Sequence, residues 1–202
     1  TAPEDPADDS LLVPDDERDA DRLTDAGPSG PSDSAVSEPT VSEAQDDVEP
    51  AVLPDGFTTA MVEITEADGT VCEVCMWLAD SASERGQGLM GVTALGTPAA
   101  MAFVWEEPTA GGFFMFQTVT PLSIAWFGAP DGDGVAGGEL VSTTDMEPCL
   151  AENSATCERF FAGGDYVLAI EVFQGDLASI GITEGATARL LTGSEASDCP
   201  LT

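Results

Sequence analysis

Histidine and lysine are both missing from this 202-residue chain, and arginine occurs only five times. Without histidine there is no Ser-His or Cys-His catalytic pair, and the common zinc sites lack one of their usual ligands. The sequence also has no G-x-S-x-G nucleophile elbow, no phosphate-binding glycine loop and no apolar run of membrane-spanning length. We therefore expect no metal site, no cofactor and no catalysis by a serine or cysteine nucleophile.

The few basic residues stand against 38 acidic ones, so the net charge is −33. Residues 1–55 hold 17 acids and two arginines, net −15, and the rest holds 21 acids and three arginines, net −18. A field of this sign repels phosphates, so nucleic acid is a poor partner. Such a surface suits high salt, where repulsion is screened, although a cation-rich partner would explain the same charge.

Composition changes sharply at Pro54-Asp55-Gly56. Before this point the chain is rich in Pro, Asp, Glu and Ser and has too little apolar surface to offset its conformational entropy. We predict a disordered acidic leader over residues 1–55 and one globular domain over residues 56–202. A leader of this kind would suit a cell-surface lipoprotein with its lipidated Cys just before Thr1, or a secreted protein. Membrane contact would then be limited to that anchor.

The domain consists of short apolar runs separated by Gly, Pro and Asp clusters, which favours strands. We predict a mainly β fold (β-rich α+β), a single barrel-like antiparallel sheet with one or two short helices, and expect a monomer. Asp68-Gly69 predicts a hairpin turn, Ser81 and Glu84 a helix capping box, and Asp176 a second helix start. A turn is also predicted at 131–134, because the EF-hand ligand set fails there. The predicted strands include Met101–Trp105, Phe113–Gln117, Ser123–Phe127, Glu139–Thr143, Tyr166–Phe173 and Ala188–Leu191.

Five cysteines in a domain of this size favour disulfides and hence export from the cytoplasm. Cys149 and Cys157 enclose a short loop, and we expect them to be bonded. Cys72 and Cys75 have C-x-x-C spacing, but three residues along a strand place them on opposite faces. We expect Cys199 to bond to one of these two and to leave the other as a thiol, with redox catalysis as a minor alternative.

Glu84-Arg85-Gly86-Gln87-Gly88-Leu89-Met90 resembles the E-R-x-x-G-L-M signature of the domain of unknown function 192 family. Further motifs follow in the order of the family over residues 61–192. They are Met101–Trp105, Phe113–Met115 leading into Pro121–Ile124, Met146–Cys149, and Ala169–Val172 before Gly175. The resemblance implies a compact, β-rich and often exported domain with no established activity.

The chain departs from this family pattern in its middle block. Phe116, Gln117 and Ser123 stand where the pattern has Lys, Asn and Asp. Any role that depends on the family's Lys or Asp is therefore in doubt for this chain.

Arg85 is the sharpest binding candidate, because it is one of three cations in an acidic domain. Its guanidinium would suit a ligand carboxylate. The alternative is structural: Arg85 pairs with an acid such as Glu171 or caps buried carbonyl groups. We predict a ligand site around Arg85, Met115, Gln117 and Glu171. Phe114, Phe116 or a Trp would form either a platform for sugars or peptides or, more simply, part of the core.

The leading functional hypothesis is a non-enzymatic, extracytoplasmic binding or accessory module for a small molecule, glycan or peptide. One alternative is a carboxylate-dependent hydrolase of envelope glycans that uses Glu84, Glu171 or Asp145. The other is a purely structural accessory domain. Two acids at glycosidase separation in a concave pocket would favour the hydrolase.

Overall fold

A computed structural model describes residues 50–129, 136–193 and 199 of the chain. The predicted turn at 131–134 and the leader up to residue 49 lie outside these residues. Seven strands are seen in the described part. They are β1 (Thr58–Thr65), β2 (Val71–Ala79), β3 (Ala100–Thr109), β4 (Leu122–Phe127), β5 (Gly137–Met146), β6 (Tyr166–Phe173) and β7 (Thr187–Leu190).

The strands form a closed barrel in the order β1-β2-β3-β6-β4-β5-β7, and β7 pairs with β1. This confirms the predicted fold class. Every pair is antiparallel except β2 with β3, which is parallel. A parallel pair needs a crossover connection rather than a tight turn. The segment between β2 and β3 supplies it and contains the short helix α1 (Ala82–Gln87).

The barrel has two apolar cores, one on each face of its central strands. Side chains from all seven strands fill the interior, among them Val62, Phe127 and Ile170. The second core lies on the outer face of β3, β4 and β6, where loops cover it. β4 and β6 are therefore buried on both faces, which explains their nearly continuous apolar sequences.

Two of the three local signals in the sequence formed as predicted, the capping box and the hairpin turn. The Ser81 hydroxyl accepts a hydrogen bond from the Glu84 N–H, and the Glu84 carboxylate accepts one from the Ser81 N–H at 2.9 Å. The hairpin turn between β1 and β2 contains Gly69 at φ 88°. The second helix is one 3₁₀ turn, Leu177–Ile180, and Asp176 makes no side-chain cap there.

The prediction of a strand over Phe113–Gln117 is wrong. This segment makes only two isolated bridges, Phe113 with Phe160 and Phe116 with Cys149. Gln117 has a positive φ of 56°, which ends any extended conformation. The run is apolar because it covers the outer core as a loop, where burial does not depend on strand pairing.

Two disulfides join Cys149 to Cys157 and Cys75 to Cys199, while Cys72 carries a free thiol. Disulfides persist in oxidising compartments, so both are compatible with a location outside the cytoplasm. No helix within the described ranges is long and apolar enough to cross a membrane.

Candidate functional site

Glu171 is an acidic residue in the middle of an apolar strand. It lies on β6, between its register partners Met101 on β3 and Ile124 on β4. Both partners belong to the outer core, so the Glu171 side chain also faces that core. Only 5% of the residue is exposed. Acidic residues are rarely buried to this degree unless they are paired.

The Glu171 carboxyl group has no partner within the part of the chain that the structure describes. Among the described residues, none donates a hydrogen bond to it or forms an ion pair with it, and the single ion pair joins Arg189 to Glu63. Burial alone raises the pKa of Glu171 to about 8, because the charged form loses its hydration without gaining compensation. At neutral pH the native protein therefore holds this carboxyl group mostly in its protonated form.

Glu171 lines a pocket of about 120 Å³. The pocket lies between the outer face of the barrel, the end of α1 and the loop after β3. Five aromatic side chains form much of its wall: Phe103, Trp105, Phe113, Phe114 and Tyr166. Several meet edge to face, with ring centroids 5.1 Å apart for Trp105 and Tyr166 and 5.1 Å apart for Phe103 and Phe113. These contacts favour a preformed wall.

The heptapeptide that carries the family resemblance forms one rim of this pocket. Its Glu84 completes the capping box that starts α1, and Gly88 ends the helix at φ 47°. This positive φ suits glycine, which has no Cβ to clash. Residues 86–90 then line the pocket, and Leu89 is buried beneath them. The signature therefore encodes a helix end that shapes the rim.

The opposite rim is the loop that contains Gly111 and Gly112. The Tyr166 hydroxyl donates a hydrogen bond to the Gly111 carbonyl at 2.7 Å, and burial raises the pKa of Tyr166 to about 12. A Cβ atom at Gly112 would lie 2.6 Å from the Phe161 ring. The loop is thus held by a tyrosine that stays neutral and by a glycine that leaves room for Phe161.

Arg85 lines the pocket, and one nitrogen of its guanidinium is already engaged by carbonyl groups. Its Nη1 donates to the Asp80 carbonyl and, at 2.8 Å, to the Val104 carbonyl. The guanidinium also lies 5.1 Å from the centroid of the Trp105 ring. Arg85 does not pair with Glu171. Of the two structural alternatives, the structure places it as a cap on carbonyl groups that joins α1 to β3.

The other two predicted binding residues lie outside the pocket wall. Met115 is 1% exposed and packs in the outer core. Gln117 has an exposed side chain, and its backbone links Gly91 to Cys149. The next residue in the chain, Thr118, is polar, is 4% exposed and does line the wall. The four candidates are therefore divided: Arg85 and Glu171 share the pocket, and Met115 and Gln117 do not line it.

The other candidate acid/base carboxylates have different roles. Glu84 caps α1, and its pKa is lowered by hydrogen bonds from the Ser81 and Asp80 N–H groups. The Asp145 carboxylate accepts a hydrogen bond from the Ser123 hydroxyl at 2.5 Å on the β4–β5 pair. Glu171 is thus the only acid among the described residues that line the pocket. Residues 50–129 and 136–193 contain no group of three potential metal ligands.

Three wall residues escaped sequence reasoning as site residues: Phe103, Thr118 and Tyr166. Phe103 carried a usable signal, because Met101, Phe103 and Trp105 alternate along one strand and must share a face. Tyr166 is the only tyrosine of the chain, yet its sequence position suggests only a strand start. Thr118 follows a loop whose path depends on tertiary contacts, so no local signal was available.

The aromatic rings proposed as a platform are mostly covered. Trp126 is 1% exposed in the outer core, and Phe116 is bridged to Cys149. The Arg159 guanidinium lies 4.2 Å from the centroid of the Phe114 ring. These rings form no open aromatic platform, and Trp105 and Phe114 line the pocket.

The sequence profile of the DUF192 family (Uncharacterized ACR) matches residues 63–190. No curated protein matches the chain. Similar solved structures include a proposed transcription regulator from Sinorhizobium meliloti 1021, with 21% identity, a TM-score of 0.53, and coverage of 66% of this chain and 95% of that one. A protein of unknown function from Novosphingobium aromaticivorans DSM 12444 has 23% identity, a TM-score of 0.54, and coverage of 70% and 93%. At these identities the likeness concerns the fold alone.

Proposed function

This chain belongs to the DUF192 family, and on that premise we propose that its barrel is a non-enzymatic, extracytoplasmic binding module whose pocket takes a small ligand at Glu171. The observation that carries the proposal is a buried carboxyl group without a protein partner in the wall of a preformed aromatic pocket. Pockets that combine apolar walls with a few polar groups are the usual form of a ligand site.

The energetics of Glu171 support binding rather than a purely structural role. An unsatisfied polar group in a protein interior typically costs about 1 to 3 kcal/mol. An apolar residue at this position of β6 would avoid that penalty, as its neighbours Ile170 and Val172 do. Glu171 has a shifted pKa, lowers the stability of the fold and faces a pocket. This combination is typical of a residue in a functional site.

The alternatives receive less support from the same pocket. Glycoside hydrolysis usually needs two carboxyl groups on either side of the scissile bond, and the described wall offers one. The Sinorhizobium protein is described as a proposed transcription regulator, but residues 56–202 of this chain carry a net charge of −18, which opposes binding to nucleic acid. Extracytoplasmic location is supported by the two disulfides. Tethering of the barrel to the cell surface by residues 1–55 completes the proposal.

A thermal-shift screen of the full chain against amines, amino acids, sugars and short peptides tests this function. A ligand at 100 times its Kd should stabilise the fold by about 2.7 kcal/mol. For a domain of this size that corresponds to roughly 5 to 10 °C in Tm. We expect at least one ligand class to raise the Tm of the wild type and of the control Glu139→Gln, which alters an exposed strand residue. The same ligands should not raise the Tm of Glu171→Leu. If no class gives a shift that depends on residue 171, the proposed site is wrong.

A further inference from the structure

The hydrogen-bonding groups in the pocket wall are almost all engaged. Arg85 is bound to two carbonyl groups, the Gln87 amide donates to the Asp55 carbonyl, and the Thr109 hydroxyl accepts from the Gly111 N–H. Tyr166 is bound to the Gly111 carbonyl as described. The exceptions include the Glu171 carboxyl group, the Thr118 hydroxyl and the Trp105 indole N–H, for which the described residues provide no hydrogen-bond partner. A ligand would therefore meet a carboxyl group, a hydroxyl and an indole N–H, and of these only the carboxyl group can become negatively charged.

A positive charge is the partner that would let this carboxyl group ionise inside the pocket. Neither nearby arginine pairs with it: Arg85, in the pocket wall, stacks on Trp105, and Arg159 stacks on Phe114. Phe103, Phe113 and Tyr166 add three further aromatic rings to the same wall, and aromatic rings attract cations to their faces. The net charge of −33 also concentrates cations around the protein.

We infer that the ligand carries a protonated amine, which forms an ion pair with Glu171 inside the aromatic wall. This inference rests on the proposed binding function and specifies its ligand class. The pocket volume of about 120 Å³ suits a head group of the size of an alkyl or benzyl ammonium. Sugars without an amino group could hydrogen-bond the carboxyl group but would supply no countercharge, and anionic ligands would be repelled by its ionised form.

Binding of this kind releases a proton. At pH 7 the free protein holds Glu171 protonated, whereas the complex holds a carboxylate beside an ammonium group, so one proton passes to the solvent per ligand bound. Arg85 and Tyr166 are the other titratable residues that line the pocket, and β3 and β4 present only apolar side chains to Glu171 there. The amine affinity should therefore rise by up to roughly tenfold per pH unit between pH 5 and 7, following the ionised fraction of one carboxyl group.

The experiment compares matched probes on the full chain with its disulfides intact. Benzylamine and benzyl alcohol have nearly the same shape, as do isobutylamine and isobutanol, and only the amines are charged. Binding is measured by calorimetric titration at pH 7.5. A single high salt concentration is used throughout, because salt screens unspecific attraction of the amines to the acidic surface. Buffers with different ionisation enthalpies measure the number of protons released.

We expect each amine to bind at least roughly tenfold more tightly than its alcohol, as an added ion pair in a desolvated pocket should provide. About one proton should be released per amine and none per alcohol. Glu171→Gln should abolish the preference, and Glu139→Gln should retain it. The comparison of the two probes on the wild type needs no variant, so it holds even if Glu171→Gln folds poorly.

Two results overturn the inference in distinguishable ways. If alcohols bind as tightly as amines and Glu171→Gln weakens both, the pocket binds neutral polar ligands. The proposed function then stands and the ammonium class falls. If neither probe binds and the broader screen also finds no ligand dependent on residue 171, the proposed function falls with it.

Discussion

Replacing Glu171 with glutamine should make the barrel more stable at neutral and alkaline pH but not at acidic pH. The substitution keeps the size and shape of the protonated side chain and removes its ability to ionise. Glu171 is buried in the outer core, and burial raises its pKa from 4.5 to about 8. Stability should therefore depend on pH in a way that the variant lacks.

The sign follows from proton binding. Between pH 4.5 and 8 the unfolded chain has released this proton while the native state retains it, so the free energy of unfolding falls as pH rises. One pKa unit corresponds to about 1.4 kcal/mol, so the loss across this window is on the order of 3 to 5 kcal/mol. Below pH 4.5 both states are protonated and the penalty disappears.

Urea unfolding followed by tryptophan fluorescence, at several pH values and one high salt concentration, measures this difference. Wild type and Glu171→Gln should agree near pH 4.5 and diverge up to pH 8, with the variant the more stable. The other carboxylates affect both proteins alike and cancel in the comparison. Glu139→Gln, an exposed strand substitution, should follow the wild type. Parallel curves for wild type and Glu171→Gln would show that folding does not raise the pKa of Glu171, and would refute this reasoning.

Three further substitutions test the surroundings of the site by thermal denaturation. Arg85→Lys keeps the charge but loses the planar guanidinium, so we expect a loss of about 1 to 2 kcal/mol, and an unchanged Tm would contradict the capping role. Ser123→Ala leaves the Gly175 N–H without its acceptor at 2.9 Å and should cost about 1 to 3 kcal/mol; wild-type stability would argue against that bond. Cys199→Ala removes a disulfide that closes a segment of 124 residues, so chain entropy predicts that the free energy of unfolding falls by about 5 kcal/mol. A decrease below about 1 kcal/mol would contradict the bond to Cys75.

Features with a local physical cause could be predicted from the sequence. The capping box needs only Ser81 and Glu84 at the right spacing, and both of its hydrogen bonds are present. The hairpin needs only a residue that accepts positive φ, which Gly69 provides. The strand at Tyr166–Phe173 was predicted with its observed bounds. Its sequence is almost continuously apolar, which is typical of a strand that is buried on both faces of a sheet.

Prediction failed where apolar character did not imply a strand. The run Phe113–Gln117 has the composition of a buried strand, yet it forms a loop over the outer core. Burial supplies the same hydrophobic stabilisation in either conformation, so composition cannot separate the two. The positive φ of Gln117, which ends the run, results from its backbone contacts with Gly91 and Cys149.

The sequence by itself determined the β-rich class, the acidic charge and the start of α1, and it singled out Arg85 and Glu171 as candidate site residues. Only the tertiary structure decided what these two residues contact. Arg85 meets carbonyl groups at Asp80 and Val104, and Glu171 meets a pocket rather than Arg85. The partner of a buried charge depends on how strands far apart in the chain come together, because closing the barrel sets those distances and no local pattern encodes them.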